Sequence, residues 1–354
     1  MKVLAFTKYD SMGASTRVRL LTYFDYFSSV EFDVNPLFDN DYLQELYHKK
    51  NRSKIHVFRR YLNRFGEIIR LLFKPKVYDV IWIEKELFPW VPLPIEYVLK
   101  VKGFKIVFDY DDAVYHNYDN YRLFDYKFKA LARLSDGVIC GNQYLKNYFK
   151  KQGAKSQKLV PTVVEAQKFK PVQKAIGSQL VIGWIGSPST QRYLYLVEQA
   201  LTELYSQHEF ELRLIGVSDD FKYKVDYTRV NWSSESEINE VCNFDIGIMP
   251  LPNNPFEKGK CGYKIIQYFA ASAPVCASSV GVNRSLVEDG VNGYLCQSSD
   301  SWYESLESLL SNANIRKQMG SSGRNKIEKE FTYSSQYKII EDYLFEIVGC
   351  NNEN

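Results

Sequence analysis

Residues 255–297 read PFEKGKCGYKIIQYFAASAPVCASSVGVNRSLVEDGVNGYLCQ. The pattern is loop, helix, buried strand, glycine-bearing loop, short helix and strand. Lys260 and Gly262 open a helix over 262–272, Ala273-Pro274 closes it, and the apolar run 275–277 is too short for anything but a strand. A helix N-terminus presents unpaired N–H groups and the positive end of the backbone dipole, so it seats phosphate. Lys260, Lys264 and Gln267 fall at i, i+4 and i+7, on one helix face, while Ile265, Ile266 and Phe269 turn into a core. Two ammonium groups and an amide on such a face suit a diphosphate and a ribose hydroxyl. A solvated lysine pair beside a glycine turn gives the same pattern.

Outward from this stretch the chain repeats strand, loop and helix. Residues 3–7 form an apolar strand, and the loop after it holds Gly13 and leads to Ala14-Ser15-Thr16-Arg17-Val18-Arg19, with Ser15 or Thr16 as N-cap. Strands follow at 80–84, from 105 (KIVFDYDDA) and at 136–140. The pattern restarts at 180–185, where Gly186-Ser187 ends a strand and Ser189 or Thr190 caps the next helix. Further strands are expected at 210–215, 229–232 and 246–249, with amphipathic helices over 301–310, 315–329 and 334–348. Two sets of strand–helix units around a linker at 169–179 predict an α/β chain of two Rossmann-like domains with a cleft between them.

Residues 262–293 resemble the donor-binding segment of the retaining family-four glycosyltransferases. The matching residues are Ala270-Ala271-Ser272-Ala273-Pro274-Val275-Cys276-Ala277-Ser278, Gly281, and Glu288-Asp289-Gly290-Val291-Asn292-Gly293. Lys260-Cys261-Gly262-Tyr263-Lys264 is similar to a subgroup's Lys-Cys-x-Tyr-Lys signature. The family's Glu-x7-Glu pair is replaced: by spacing its members fall on Gly259 and Gln267. The resemblance implies the GT-B fold, with an acceptor-side domain over 1–168, a sugar-nucleotide domain over 180–330, and a last helix, 331–354, crossing back to the first domain. It implies donor contacts from Gly13, Gly186, Ser187, Arg192, Lys260, Lys264 and Gln267, and a catalytic role for Asp111 and Asp112, one of which orients the acceptor hydroxyl or acts as base. The implied partners are a nucleotide sugar and a glycan or lipid-linked acceptor, with no metal or other cofactor.

The run Asp109-Tyr110-Asp111-Asp112 admits other chemistry. An Asp-x-Asp at a strand end holds the metal of GT-A glycosyltransferases. After an apolar strand it also opens dehalogenase-like phosphatases, with Asp109 as nucleophile, Asp111 as acid/base and Asp219-Asp220 as a second acidic pair. The replaced Glu pair leaves a non-catalytic GT-B paralogue as a third reading.

Residues 49–76, KKNRSKIHVFRRYLNRFGEIIRLLFKPK, carry ten Lys and Arg against a single acid, Glu67. Val57, Phe58, Tyr61, Leu62, Phe65, Ile68, Ile69 and Leu72 recur at helical spacing. Such a helix suits an anionic membrane surface, or packs on its own sheet with a solvated basic side. The 354 residues, 45% apolar, supply cores for two domains. A net charge of +3 is too small to argue for nucleic acid. No apolar run reaches the length of a membrane span, and the N-terminus MKVLAFTKYD lacks a signal-peptide core. The six cysteines show no Cys-x-x-Cys pair and read as reduced core residues of a cytoplasmic protein.

Overall fold

The computed structural model describes residues 1–43, 54–172, 175 and 177–349. The chain divides into two compact units. The first comprises Met1–Thr162, Gly259–Cys261 and Tyr333–Asn354, the second Val163–Lys258 and Gly262–Thr332. Each is built on one six-stranded parallel sheet.

In the first unit the strands are β1 (Lys2–Tyr9), β2 (Glu31–Phe38), β3 (Val80–Glu84), β4 (Lys105–Tyr110), β5 (Gly137–Cys140) and β6 (Gln157–Leu159), in the order β2-β1-β3-β4-β5-β6. A parallel sheet covered on both faces needs strands that are apolar throughout, and every residue of β3 is buried. The order turns back between β1 and β3, a topological switch point, and ligands bind at the carboxyl ends of strands beside such a point. The helix Tyr333–Val348 belongs to this unit, where the Tyr343 hydroxyl accepts the amide proton of Val138 at 3.2 Å.

In the second unit, β7 (Leu180–Ile185), β8 (Phe210–Ile215), β9 (Thr228–Val230), β10 (Ile246–Met249), β11 (Val275–Ser278) and β12 (Gly293–Cys296) run in the order β12-β11-β10-β7-β8-β9. Its switch point lies between β7 and β10. Two apolar clusters cover the faces, one around Ile265, Phe269 and Ile327, the other around Trp184, Leu201 and Leu306.

Three expectations change. The donor-segment helix is Tyr263–Ala270, with Gly262 before it at φ 68°, so Lys260 lies outside the helix and the three-residue polar face reduces to Lys264 and Gln267. Left-handed backbone at Gly262 is what stops the helix from starting earlier. Neither Ser15 nor Thr16 caps a helix. Gly13 precedes the first turn, and a π turn, Arg17–Leu21, interrupts the helical run between Ala14–Thr16 and Thr22–Phe24. The basic helix, Lys54–Phe73, has two apolar faces: Arg64, Ile68 and Leu71 are buried, whereas Ile55, Phe58, Leu62, Phe65, Ile69 and Phe73 stand in solvent. Residues 49–53 of that segment, and Cys350, lie outside the described residues; the other five cysteines are buried and free.

Candidate functional site

The first unit gathers its polar residues where β1, β3 and β4 end. Glu84, the last residue of β3, is 2% exposed; one carboxylate oxygen accepts the Thr16 hydroxyl at 2.7 Å and the amide proton of Lys8 at 2.9 Å. The Ser15 hydroxyl lies between Glu84 and Asp111, bonding to both, and accepts from Lys85 Nζ at 3.2 Å. Lys85 also pairs with Asp111 at 2.9 Å. Burial pushes the Asp111 carboxyl up, but Lys85 and the Ser15 hydrogen bond outweigh it and hold the group well below the usual carboxylate range. Asp111 is therefore an ionised hydrogen-bond acceptor and too weak a base to take a proton near neutrality.

Asp109 is unsuited to attack a phosphate. It is 2% exposed and grips the guanidinium of Arg19, itself 2% exposed, with Nε–Oδ1 at 3.1 Å and Nη2–Oδ2 at 3.2 Å. The π turn brings Arg19 inward, where its third nitrogen donates to the Val160 carbonyl at 2.7 Å. This buried fork removes the nucleophile that the phosphatase reading requires. The proposed second acidic pair, Asp219-Asp220, is in the second unit, where Asp219 pairs with Arg229.

Gly259, Lys260 and Cys261 are held in the first unit. The Asn142 amide donates to the carbonyls of Gly259 at 2.7 Å and Lys260 at 3.0 Å, and Cys261 Sγ donates to the Asp111 carbonyl at 2.8 Å. Lys260 Nζ is 3.6 Å from Asp112, so the ammonium assigned to phosphate from sequence neighbours a carboxylate assigned to the acceptor. Gly13 donates to the Asp10 carbonyl at 2.9 Å and accepts from the Arg17 amide at 2.8 Å, which closes the loop after β1.

In the second unit, Lys264 sits beside the end of β7. Its Nζ is 4.4 Å from the centroid of the buried Trp184 indole, and a Cβ built on Gly186 would lie 2.9 Å from the same nitrogen. Gly186 thus leaves room for a cation at the switch point. Ser187 follows, its hydroxyl 2.8 Å from that of Ser189. No side chain caps the helix Tyr263–Ala270, in whose first turn Lys264 stands, so first-turn N–H groups face the same end. Arg192 lies further along, on a 3₁₀ turn, exposed, with its guanidinium over Tyr193. Thr190 precedes that turn and bonds Ser187 without capping a helix.

Gln267 is 2% exposed, and its amide donates to the Glu237 carboxylate, which also accepts from Trp232 Nε1 at 2.9 Å. Glu237 escaped the sequence reading because it lies thirty residues away on another helix. Asp289 and Asn292 of the acidic turn serve the backbone. Asp289 accepts from the Leu295 amide at 2.8 Å, and Asn292 from the Glu288 amide at 2.8 Å.

Residues 179–312 match the family model described as glycosyl transferases group 1. All of the matched residues except 259–261 lie in the second unit. The chain is 24% identical over 224 residues to an uncharacterized glycosyltransferase of Methanocaldococcus jannaschii, an alignment covering 59% of each protein. It therefore spans about three-fifths of that relative's length. In fold it is similar to sucrose-phosphate synthase from Thermosynechococcus elongatus, at 14% identity over 99% of each chain and a TM-score of 0.74. It is equally similar to Anabaena HepE in complex with UDP-glucose, at 14% identity over 98% of this chain and 100% of that one, TM-score 0.74. Two parallel six-stranded sheets with flanking helices make the fold GT-B.

Proposed function

We propose that the protein is a retaining glycosyltransferase that moves a sugar from a nucleotide-diphosphate sugar to a glycan or lipid-linked acceptor. The observation that carries the reading is the placement of Lys264, Gly186 and an uncapped helix start together at the switch point of the unit that matches the group 1 model. Negative charge grows on the diphosphate as the sugar departs. A fixed ammonium and helix N–H groups oppose that charge without rearranging, so they lower the barrier more than they tighten ground-state binding. In this role the protein's own cations serve where other transferases use a metal. Gln267, held by Glu237, is the group for a ribose hydroxyl. Ser187 and Arg192 border the donor. Gly13, Asp111 and Asp112 line the acceptor side, with Asp111 accepting a hydrogen bond from the attacking hydroxyl.

The exposed apolar stripe on Lys54–Phe73 supports a place on an anionic membrane, at the inner face of a bacterial envelope where surface polysaccharide is assembled. At 100° per residue its six side chains fall within an arc of ~80° and extend ~27 Å along the helix. Lys54 and Arg59, both exposed, lie on the two flanks of that stripe. Among the described residues no helix is long and apolar enough to cross a membrane.

The test is a thermal-shift screen over UDP-, GDP-, ADP- and CMP-sugars with wild type and Lys264→Ala, followed by transfer assays with and without chelator. UDP-sugars come first, since HepE binds UDP-glucose. A shift abolished by Lys264→Ala, with chelator-insensitive transfer, is expected. Stabilisation without turnover would make the chain a binding paralogue, and no shift with any donor would end the proposal.

A further inference from the structure

The loop leaving β3 holds two of the three non-glycine residues with left-handed backbone among the described residues, Lys85 at φ 64° and Trp90 at φ 62°. Such backbone is unfavourable for a side chain with a Cβ, and it persists only where surroundings over-determine it. The surroundings here are unusually firm. Glu86, 7% exposed, accepts from the Tyr118 hydroxyl at 2.6 Å and pairs with the buried ammonium of Lys127, which also donates to the Phe88 carbonyl at 2.9 Å. The Tyr61 hydroxyl donates to the Pro89 carbonyl at 2.6 Å, and the Trp90 amide donates to the Tyr118 oxygen at 3.2 Å.

All this fixes an indole that is 55% exposed. Tyr118, Tyr121 and Phe124 pack around it, with ring centroids 4.7, 5.4 and 6.1 Å away. Burial does not account for an aromatic ring held rigid while more than half of it faces water. Trp90 borders a cavity of about 50 Å³ beside the β1/β3 switch point, also lined by Lys8, Asn117 and Tyr118. Asn117 is exposed, and the ammonium of Lys8 is 5.2 Å from the Tyr9 ring. The arrangement is a rigid apolar plate with hydrogen-bonding groups around a small polar hole, which is how sites for polar small molecules are made.

We propose that this is a subsite for one sugar ring of the acceptor, the pyranose lying on Trp90 with an exocyclic hydroxymethyl group in the cavity between Lys8 and Asn117. A pyranose has a C–H face that matches an indole and a rim of hydroxyls that matches the ammonium and amide. The cavity is too small for a whole ring and large enough for such a side group, about the space of a few water molecules. The proposal rests on the glycosyltransferase reading and names the acceptor's chemical class at its first contact.

The experiment is saturation-transfer NMR on the full chain with the methyl glycosides of glucose, galactose, mannose and N-acetylglucosamine. Wild type, Trp90→Ala, Trp90→Phe and Asn117→Ala are compared, each checked for its UDP-induced thermal shift. At least one glycoside should give a signal that weakens about ten-fold in affinity with Trp90→Ala, less with Trp90→Phe, and also falls with Asn117→Ala. Asn117→Ala decides the matter should Trp90→Ala unfold. Absence of signal from every glycoside, or a signal untouched by Trp90→Ala and Asn117→Ala, overturns the subsite. So does a Trp90→Ala protein that keeps its glycoside signal and loses vesicle binding, which would make the indole a membrane anchor. A wild type that shifts with none of the UDP-, GDP-, ADP- and CMP-sugars is a separate result: it removes the donor reading, whatever the glycosides do.

Discussion

Phe58 and Phe65 stand on the outer face of the helix Lys54–Phe73, 64% and 46% exposed, so their replacement by serine separates membrane docking from folding. A phenylalanine side chain offers ~200 Å² of apolar surface, which puts ~130 and ~90 Å² of these two in water. At ~25 cal/mol per Å² their full removal from water is worth about 3 and 2 kcal/mol. A helix lying in the interface buries its apolar face only part-way, so about half of that sum, roughly 2–3 kcal/mol, bears on binding. The double variant Phe58→Ser/Phe65→Ser should then bind vesicles about 30- to 160-fold more weakly.

Its urea midpoint should barely move, because exposed substitutions away from packing each change stability by about 0.5 kcal/mol or less. Lys54→Gln/Arg59→Gln should weaken binding by about 2 kcal/mol through charge alone. That loss should shrink as salt rises, whereas the serine variant's should not. Co-sedimentation with phosphatidylglycerol-containing vesicles, against phosphatidylcholine alone, measures all three. Equal sedimentation of wild type and serine variant refutes the reasoning, as does wild type that ignores the anionic vesicles.

Four further outcomes are expected. Lys264→Ala should lower UDP affinity in calorimetry about 10- to 100-fold, the range of one charged hydrogen bond, with the melting point of the unliganded protein little changed. Arg19→Met should destabilise the first unit by about 3–5 kcal/mol in urea, since it strands the buried Asp109, and Arg19→Met/Asp109→Leu should regain most of it. The Asp111 carboxyl, ordinarily near ~3.9, is held lower in the fold, so its contribution is present above about pH 4 and lost as pH falls below. Lys85→Met should flatten that acid limb in urea midpoints. Gln267→Glu would set a second carboxylate against Glu237, and one of the two must keep its proton to a higher pH than when unfolded. The destabilisation should therefore grow as pH rises above about 4.3 and be relieved in Glu237→Gln/Gln267→Glu, with urea midpoints at acidic and alkaline pH as the measure.

What the sequence disclosed follows from how each element is buried. Val80–Glu84, Leu180–Ile185 and Ile246–Met249 are legible as apolar runs because both faces of their sheets are covered, and Phe210–Ile215 by its alternation of apolar residues with the half-buried Glu211 and Arg213. Glu31–Phe38 is not, since it is an edge strand of mixed exposure that carries Pro36, which an edge tolerates. Ser15 and Thr16 have the chemistry of caps, yet their hydroxyls serve Glu84, and no local pattern announces a partner 68 or 69 residues away. In the basic helix the apolar periodicity was plain, but a helix apolar on two sides produces one periodic string. Only the packing of Ile68 and Leu71 tells which side is left for something else.

The missing Glu-x7-Glu pair is the point at which a sequence argument for lost catalysis is strongest, and the packing answers it. At the first position, a Cβ on Gly259 would fall 2.3 Å from the Ala113 Cβ and 2.9 Å from the Ala113 backbone nitrogen. The stretch of chain around it is tied down by Asn142, so a side chain there would force Ala113 or this segment to shift. At the second position a carboxylate is already present, supplied by Glu237, and only a neutral donor such as glutamine can face it without like-charge repulsion. Decay of a donor site would leave these positions free to vary toward anything soluble. On the proposed reading each departure is matched to a specific neighbour that disfavours the residue it replaces, which favours a rebuilt arrangement over a decayed one.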